Sequence, residues 1–325
     1  MTVPLILAAL AGAGCSATAR QLPAQNLAPP VAHTSAAPRH IAIIVMENEE
    51  FSSVLGSSAT PYIHSLARQG ALATGMYAIT HPSLPNYLAL TGGSTFGISD
   101  DCTDCSVSAT GLAEQLGQRN IGWKAYMEDL PHPCFTGSGA AGYAKKHNPF
   151  LYYDAVRSRP SACARIVPLS DLAADVRRGA LPRFIWITPN LCHDMHDCSA
   201  ARGDRFLRGL VPGVLRAMGP RSLLALTWDE GASGDGCCRL AHGGHVVTIL
   251  AGPAARAGAR LNTPVDHFSL LQTVEDLLGL PRLRGAACPC TPSLAPLVRL
   301  SRLAPFAAPA HAATRALAAP PPGSR

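Results

Sequence analysis

The stretch Ile41-Ala42-Ile43-Ile44-Val45-Met46 decides the fold, and Glu47 and Asn48 follow it directly. A short apolar run that is rich in β-branched residues predicts a strand buried on both faces, as in a parallel sheet. In open parallel sheets, ligands bind beyond the carboxyl ends of the strands. The segment therefore predicts an α/β fold with Glu47 and Asn48 at its binding edge.

Apolar runs and helical patterns alternate through the rest of the chain. Strands are predicted at 121–127, 184–188, 222–228 and 246–250, and helices at 60–70, 84–90, 111–119 and 268–278. Strands interleaved with helices indicate a mostly parallel central sheet that carries helices on both faces.

The two ends of the chain differ in composition from its middle. Residues 1–15 are similar to a signal or lipoprotein-type segment that ends at Cys15, so lipid attachment through Cys15 and ordinary secretion are both open. Residues 16–38 predict a flexible linker and 301–325 an Ala/Pro-rich disordered tail, which leaves 39–300 as the folded domain. We expect a secreted or cell-envelope-attached protein.

Cysteine content and charge narrow the class of protein further. Of the 11 cysteines, ten remain without Cys15, and in an exported protein this even number indicates a disulfide set, with a zinc site as the alternative. The net charge is +6 among 325 residues, but the basic residues are spread along the chain. This distribution argues against a nucleic-acid partner and favours small anionic substrates.

Acidic side chains follow two of the predicted strands. Glu47 and Asn48 follow the first, and Asp229 and Glu230 follow the strand at 222–228. Three carboxylates and one amide packed together without a cation would repel one another and be poorly solvated. Their oxygens suit Mg²⁺, Ca²⁺ or Mn²⁺. We therefore predict one divalent metal ion at this edge, with zinc kept open; a helix cap and a solvated turn are the alternatives.

The segment Thr80-His81-Pro82-Ser83-Leu84-Pro85-Asn86-Tyr87 contains the candidate nucleophile. Two prolines restrict the backbone on both sides of Ser83, directly before a predicted helix. A serine at this position is commonly a helix cap, but the helix start also suits a phosphate. A metal on the hydroxyl oxygen of Ser83 would make it a nucleophile, and Asn86 could donate its amide to a phosphoryl oxygen.

Histidines form the third group of candidate site residues. His196 lies in the loop after the strand at 184–188, together with Asp194, and His147 lies in a basic segment. His147 and His196 are candidate acids for the leaving group, and Asp194 and His245 are weaker candidates for metal ligands. His245 precedes its strand, so it reaches the binding edge only if that strand is antiparallel or if the adjacent glycines let the loop cross over.

Seven short segments in a fixed order carry a resemblance to a known family. They are Val45-Met46-Glu47-Asn48, His81 to Tyr87, Lys146 to Phe150, Thr188-Pro189-Asn190, Asp194 to Asp197, Thr227 to Gly231 and Gly243 to Val246. Together they resemble the bacterial phosphoesterase family of acid phosphatases and phospholipases C, within the alkaline phosphatase superfamily. The resemblance implies an alkaline-phosphatase-like α/β/α sandwich over residues 39–300.

The resemblance also assigns roles to site residues. It implies that Glu47, Asn48, Asp229 and Glu230 hold a metal beside the nucleophile Ser83. Two-metal members of the superfamily carry Asp at the position of Glu47 and His at that of Glu230, so one metal is expected. His196 and His245 would then supply positive charge and hydrogen bonds in place of a second metal.

The expected activity follows from these assignments. We expect an exported, metal-dependent hydrolase of phosphate monoesters that works through a phosphoserine intermediate. Phospholipase C action on phosphodiesters is the first alternative, and a non-catalytic protein that binds phosphate ligands is the second. The partner is accordingly a small phosphorylated substrate or a phospholipid head group.

Overall fold

The computed structural model describes residues 37–238 and 240–299. The predicted signal or lipoprotein-type segment, nearly all of the predicted linker and the predicted C-terminal tail lie outside the described residues. Their character therefore stays a prediction.

The described chain alternates strands and helices. The strands are β1 (His40–Met46), β2 (Ala71–Tyr77), β3 (Trp123–Met127), β4 (Gly139–Ala140), β5 (Tyr143–Ala144), β6 (Ile166–Pro168), β7 (Phe184–Thr188), β8 (Ser222–Trp228), β9 (His245–Ala251), β10 (Arg260–Leu261) and β11 (Val265–Asp266). The α-helices are α1 (Phe51–Leu55), α2 (Pro61–Gln69), α3 (Ser83–Gly92), α4 (Leu112–Gln118), α5 (Asp154–Arg157), α6 (Pro160–Cys163), α7 (Asp171–Arg177), α8 (Ala200–Met218) and α9 (His267–Leu278).

Nine of these strands form one sheet in the order β10-β2-β9-β8-β1-β7-β3-β6, with β11 paired to β2. The neighbours β8, β1, β7, β3 and β6 are all parallel to one another. β9 runs antiparallel to both of its neighbours, β8 and β2. The predicted α/β fold with a mostly parallel central sheet is confirmed. The sequence left the direction of β9 open, and the structure shows that this strand is antiparallel.

The strand β1 lies in the middle of this sheet and is buried as predicted. Each residue from Ile41 to Met46 is at most 1% exposed. Met46 pairs with Trp228 at the end of β8, and Ile44 pairs with Ile187 near the end of β7. Because the three strands are parallel and adjacent, the segments that follow them emerge at one edge of the sheet.

Helices and disulfides complete the described part of the chain. α3 packs against α9 and α4, and α2 packs against α8 and α1. The ten cysteines after Cys15 form the five disulfides Cys102–Cys105, Cys134–Cys163, Cys192–Cys198, Cys237–Cys238 and Cys288–Cys290. The predicted disulfide set is therefore confirmed. None of the described helices is both long enough and apolar enough to cross a bilayer.

Candidate active site

Backbone hydrogen bonds join the segments that leave β1, β7 and β8. The amide of Glu47 donates to the carbonyl of Asp194 at 2.9 Å, and the amide of Asp229 donates to the carbonyl of Met46 at 2.9 Å. The amide of Asn48 donates to Oδ1 of Asp229 at 3.1 Å. Three of the predicted metal ligands and Asp194 therefore lie together at one edge of the sheet.

Ser83 is the first residue of α3 and meets this acidic cluster. Its Oγ lies 3.1 Å from Oε2 of Glu47 and 3.3 Å from Oε1 of Glu230. The residue is 1% exposed, so its hydroxyl faces the carboxylates and not bulk water. The structure thus places the predicted nucleophile within hydrogen-bond reach of the predicted metal ligands.

Two residues that flank Ser83 orient the carboxylates, and the sequence analysis assigned them no role. The hydroxyl of Tyr87 donates to Oε1 of Glu47, and Nδ1 of His81 lies 2.5 Å from Oε2 of Glu230. Tyr87 follows Ser83 by four residues, which puts both on one face of α3. That spacing is the signal that could have identified Tyr87.

The predicted contact between Asn86 and a phosphoryl oxygen is not what the structure shows. Oδ1 of Asn86 accepts hydrogen bonds from the amides of Ile79 and Thr80, both at 3.0 Å. Its Nδ2 donates to the carbonyls of Thr80 at 2.7 Å and Pro82 at 3.2 Å. Every donor and acceptor of this fully buried amide is thus occupied by backbone, so in this structure Asn86 holds the segment before Ser83.

The structure places His147 inside the acidic cluster. This residue is buried, with Nε2 3.3 Å from Oε2 of Glu47 and Nδ1 3.3 Å from Oδ2 of Asp194. Burial, followed by the charge of Lys146, holds the pKa of His147 well below its usual value. A neutral imidazole in this position suits a metal ligand.

His196 lies at the outer side of the site, where it contacts a lysine. Its Nδ1 lies 2.7 Å from Oδ1 of Asp197, and its Nε2 lies 3.2 Å from Nζ of Lys146. Nζ of Lys146 also donates to Oδ2 of Asp101 at 2.9 Å. Burial disfavours the charged form of Lys146, but the hydrogen bond and charge of Asp101 outweigh it and raise the pKa of Lys146. At neutral pH a positive charge on Lys146 therefore stands beside His196.

His245 does not join the cluster, although the reversed direction of β9 puts it at the correct end of the sheet. Its ring stacks between Phe51, at 4.4 Å between centroids, and Tyr77, at 5.0 Å. Its Nε2 lies 2.9 Å from the carbonyl of Thr74. The structure therefore does not bring the ring of His245 to the other predicted ligands, because stacking and a backbone carbonyl hold it elsewhere.

The electrostatics of the cluster fit a cation. Burial, with the neighbouring charge of Asp229 next, raises the pKa of Glu47 well above its usual value. Burial likewise raises the pKa of Asp229 to about 7 and that of Asp194 to about 8. Burial and mutual repulsion thus disfavour the ionised form of these carboxylates, and a bound cation would offset both effects.

Several buried polar atoms of the cluster have no hydrogen-bond partner among the described residues. They are Oδ1 of Asn48, Oδ2 of Asp229, Oδ2 of Asp194 and Nε2 of His147. The 3.3 Å approaches of His147 to Asp194 and Glu47 are ion-pair distances without hydrogen-bond geometry. One ligand atom from each of Glu47, His147 and Asp194 lies within 4.8 Å of the other two. Oxygen-rich donors left unpaired in this way could hold a metal ion.

The α/β fold is similar to the fold of solved structures in the alkaline phosphatase superfamily. A solved structure of a superfamily protein from Vibrio parahaemolyticus superposes with a TM-score of 0.55 at 14% identity, covering 80% of this chain and 72% of that one. This similarity shows the fold alone. Residues 55–281 match the model of the Phosphoesterase family, and the chain belongs to that family.

Two relatives agree with this assignment. The chain is 35% identical over 245 residues to a phosphatidylinositol-3-phosphatase of Mycobacterium tuberculosis, covering 75% of this chain and 78% of the relative. It is 32% identical over 236 residues to an acid phosphatase of Aspergillus fumigatus, covering 69% of this chain and 52% of that protein. The match thus spans about half the length of the fungal relative. The protein is a hydrolase that acts on phosphoric ester bonds.

Proposed function

We propose that the protein is an exported, metal-dependent phosphatase that hydrolyses phosphate monoesters through a phosphoserine at Ser83. The observation that carries the proposal is the buried Oγ of Ser83, 3.1 Å from Glu47 and 3.3 Å from Glu230 in an acidic cluster with unpaired oxygens. The names of both relatives designate phosphatases, which supports monoesters as substrates.

Glu47, Asn48, Asp229 and Glu230 would hold one divalent cation, and Asp194 and His147 offer further donor atoms beside them. When bound, the cation supplies positive charge that stabilises the serine oxygen and the phosphoryl oxygens. The unpaired Oδ1 of Asn48 and Oδ2 of Asp229 support this assignment, because each would gain a partner. Oxygen donors favour Mg²⁺, Ca²⁺ or Mn²⁺, with zinc accommodated through His147.

The chemistry of the chain's own residues then runs in two displacements. The hydroxyl of Ser83 gives its proton to a facing carboxylate as Oγ bonds to phosphorus and the bond from phosphorus to the alcohol oxygen breaks. The departing alcohol oxygen takes a proton from the pair formed by Lys146 and His196, whose nitrogens are 3.2 Å apart. Water then attacks phosphorus and gives a proton back to the pair of Lys146 and His196, while the bond from phosphorus to Oγ breaks and the protonated carboxylate returns its proton to Oγ, which releases phosphate and the free Ser83 hydroxyl.

Export is supported by the cysteines. Five disulfides within one domain are typical of proteins that fold in oxidising compartments and are rare in the cytosol. Measuring the protein in culture medium, envelope and cytosol fractions would test this part of the proposal. A pool confined to the cytosol with free thiols would contradict it.

The test of the nucleophile compares Ser83→Ala with Ser158→Ala, an exposed serine as control. We expect Ser83→Ala to lower kcat on p-nitrophenyl phosphate by at least about a thousandfold. Acid quench of the wild type during turnover should give a peptide phosphorylated at Ser83. Wild-type turnover by Ser83→Ala would exclude the mechanism. Faster cleavage of bis(p-nitrophenyl) phosphate or phosphatidylcholine would favour the phospholipase C alternative.

The test of the metal uses chelation. Dialysis against EDTA should abolish activity, and adding back one of Mg²⁺, Ca²⁺, Mn²⁺ or Zn²⁺ should restore it. The same ion should raise the melting temperature of the wild type, since it binds the folded state, and Asn48→Ala should weaken that shift. Full activity in EDTA together with a melting temperature that no ion changes would contradict the proposal.

A further inference from the structure

Asp101 contacts two parts of the active site with its two carboxylate oxygens. Oδ1 accepts a hydrogen bond from the amide of Leu84 at 2.9 Å, and Oδ2 lies 2.9 Å from Nζ of Lys146. Nζ of Lys146 in turn lies 3.2 Å from Nε2 of His196, its partner in the proposed protonation of the leaving group. One side chain outside the metal cluster thus joins the helix of the nucleophile to the proposed proton donors.

The contact with Leu84 stabilises the first turn of α3. The amides of a helix's first turn have no partner within the helix, and the side chain of Pro82, directly before α3, has no atom that could accept from them. The carboxylate of Asp101 supplies such an acceptor, and its negative charge lies at the positive end of the helix dipole. Because Leu84 directly follows Ser83, this contact ties the position of Asp101 to that of the nucleophile.

The contact with Lys146 holds a side chain that would otherwise be mobile. A lysine ammonium is a point charge on a flexible four-carbon stem, so it keeps one position only if a partner holds it. Within residues 37–238 and 240–299, Asp101 is the one carboxylate that forms an ion pair with Lys146. Asp101 is therefore the group that fixes this ammonium beside His196.

Buried groups anchor the loop that carries this carboxylate. Residues 100–105 form the loop, and one disulfide closes it. The hydroxyl of Tyr152 donates to the carbonyl of Cys102 at 2.9 Å, and Nζ of Lys145 donates to the carbonyl of Thr103. Because Tyr152 and Lys145 are both buried, their contacts hold the backbone directly after the carboxylate in one place.

We propose that Asp101 is a positioning residue for the phosphatase reaction. Its carboxylate holds the ammonium of Lys146 at a fixed place relative to Ser83, and the disulfide between Cys102 and Cys105 holds the loop of Asp101. The inference rests on the proposed function, because it assumes that the alcohol leaves beside this ammonium. A displacement of about 1 Å in a group that acts on the reacting atoms can lower the rate by about a hundredfold.

The experiment compares kcat/KM for butyl phosphate, whose alcohol needs a proton to leave, with kcat/KM for p-nitrophenyl phosphate, whose phenolate leaves without one. Asp101→Asn keeps an oxygen for the amide of Leu84 but presents an uncharged NH₂ group to Lys146. We expect it to lower kcat/KM by at least about thirtyfold on butyl phosphate and by about threefold or less on p-nitrophenyl phosphate. Asp104→Asn, at an exposed position of the same loop, is the matched control and should keep both wild-type values.

A double variant tests whether Asp101 acts through Lys146. Adding Asp101→Asn to Lys146→Met should lower kcat/KM on butyl phosphate by less than about threefold beyond the loss in Lys146→Met alone, because the group that Asp101 positions is already absent. A purely structural role of Asp101 would give losses that add in full.

The disulfide is tested by a pair of matched double variants. Cys102→Ser/Cys105→Ser should lower kcat/KM on butyl phosphate more than on p-nitrophenyl phosphate, as Asp101→Asn does. Cys288→Ser/Cys290→Ser, which removes another short disulfide, should leave both values unchanged. Wild-type values for Cys102→Ser/Cys105→Ser would overturn the role given to this disulfide.

The outcomes separate this inference from the proposed function. Equal losses on the two esters, wild-type kinetics of Asp101→Asn, or fully additive losses with Lys146→Met would each overturn the positioning role, while the activity of Ser83→Ala still decides the phosphatase mechanism. A wild type that hydrolyses neither ester would end both proposals. A loss confined mainly to butyl phosphate, absent in Asp104→Asn and not additive with Lys146→Met, supports the positioning role.

Discussion

Replacing Asn86 by alanine removes four hydrogen bonds from a fully buried side chain. Two of them satisfy the amides of Ile79 and Thr80, and two satisfy the carbonyls of Thr80 and Pro82. A net contribution of about 1 kcal/mol for each bond predicts that Asn86→Ala lowers the free energy of unfolding by about 4 kcal/mol. Since the same bonds hold the segment before Ser83, we also expect kcat to fall by about tenfold to a hundredfold.

The assay for this prediction combines urea unfolding with kinetics on p-nitrophenyl phosphate. Asn262→Ala is the matched control, because Asn262 is exposed and its Oδ1 accepts a hydrogen bond from Thr74 at 2.5 Å. We expect that control to change the free energy of unfolding by less than about 0.5 kcal/mol. Asn86→Asp keeps the oxygen that accepts hydrogen bonds from both amides, but it places a second oxygen against the carbonyls of Thr80 and Pro82. This variant should therefore also be less stable than the wild type.

A direct phosphate contact by Asn86 makes the opposite prediction. Asn86→Ala would then keep the wild-type free energy of unfolding and lose affinity for inorganic phosphate as an inhibitor. These two results together would refute the proposal that Asn86 holds the segment before Ser83 through its four backbone hydrogen bonds.

Two further predictions concern buried groups. Burial raises the pKa of Glu275 from 4.5 to about 9, so the native state keeps its carboxyl protonated towards Gln115 and loses stability as the pH rises between these values. Glu275→Gln should therefore be more stable than the wild type at pH 8, by roughly 5 kcal/mol at most, and no more stable at pH 4; equal urea midpoints at both pH values would contradict this. Tyr87→Phe keeps the ring but removes the hydrogen bond to Glu47, so it should weaken metal affinity by about tenfold to a hundredfold in a titration of EDTA-treated protein with unchanged circular dichroism.

The amino-acid sequence by itself determined the centre of the fold and the edge that carries the site. β1, β7 and β8 are runs of consecutive apolar residues, which signal a buried parallel strand without knowledge of their neighbours. The polar residues that follow these runs had to meet, because parallel adjacent strands end at one edge. Position after a strand therefore sufficed to select Glu47 and Asp229.

Other elements carried no such local signal. β2 contains two alanines and a glycine and has Thr74 as its one β-branched residue, yet it forms because β9 pairs with it along its length. Burial against neighbouring elements outweighs weak intrinsic propensity, and that burial cannot be read from the segment alone.

Only the tertiary structure decided which partner each polar side chain takes. The sequence placed Asn86 and His245 near the site. In the structure the amide of Asn86 hydrogen-bonds to backbone instead, and the ring of His245 stacks between Phe51 and Tyr77, so neither side chain joins the cluster. His147 meets Glu47 across 100 positions of the chain. Contacts between segments so distant depend on how loops pack over the sheet edge, and neighbouring residues in the sequence do not encode that geometry.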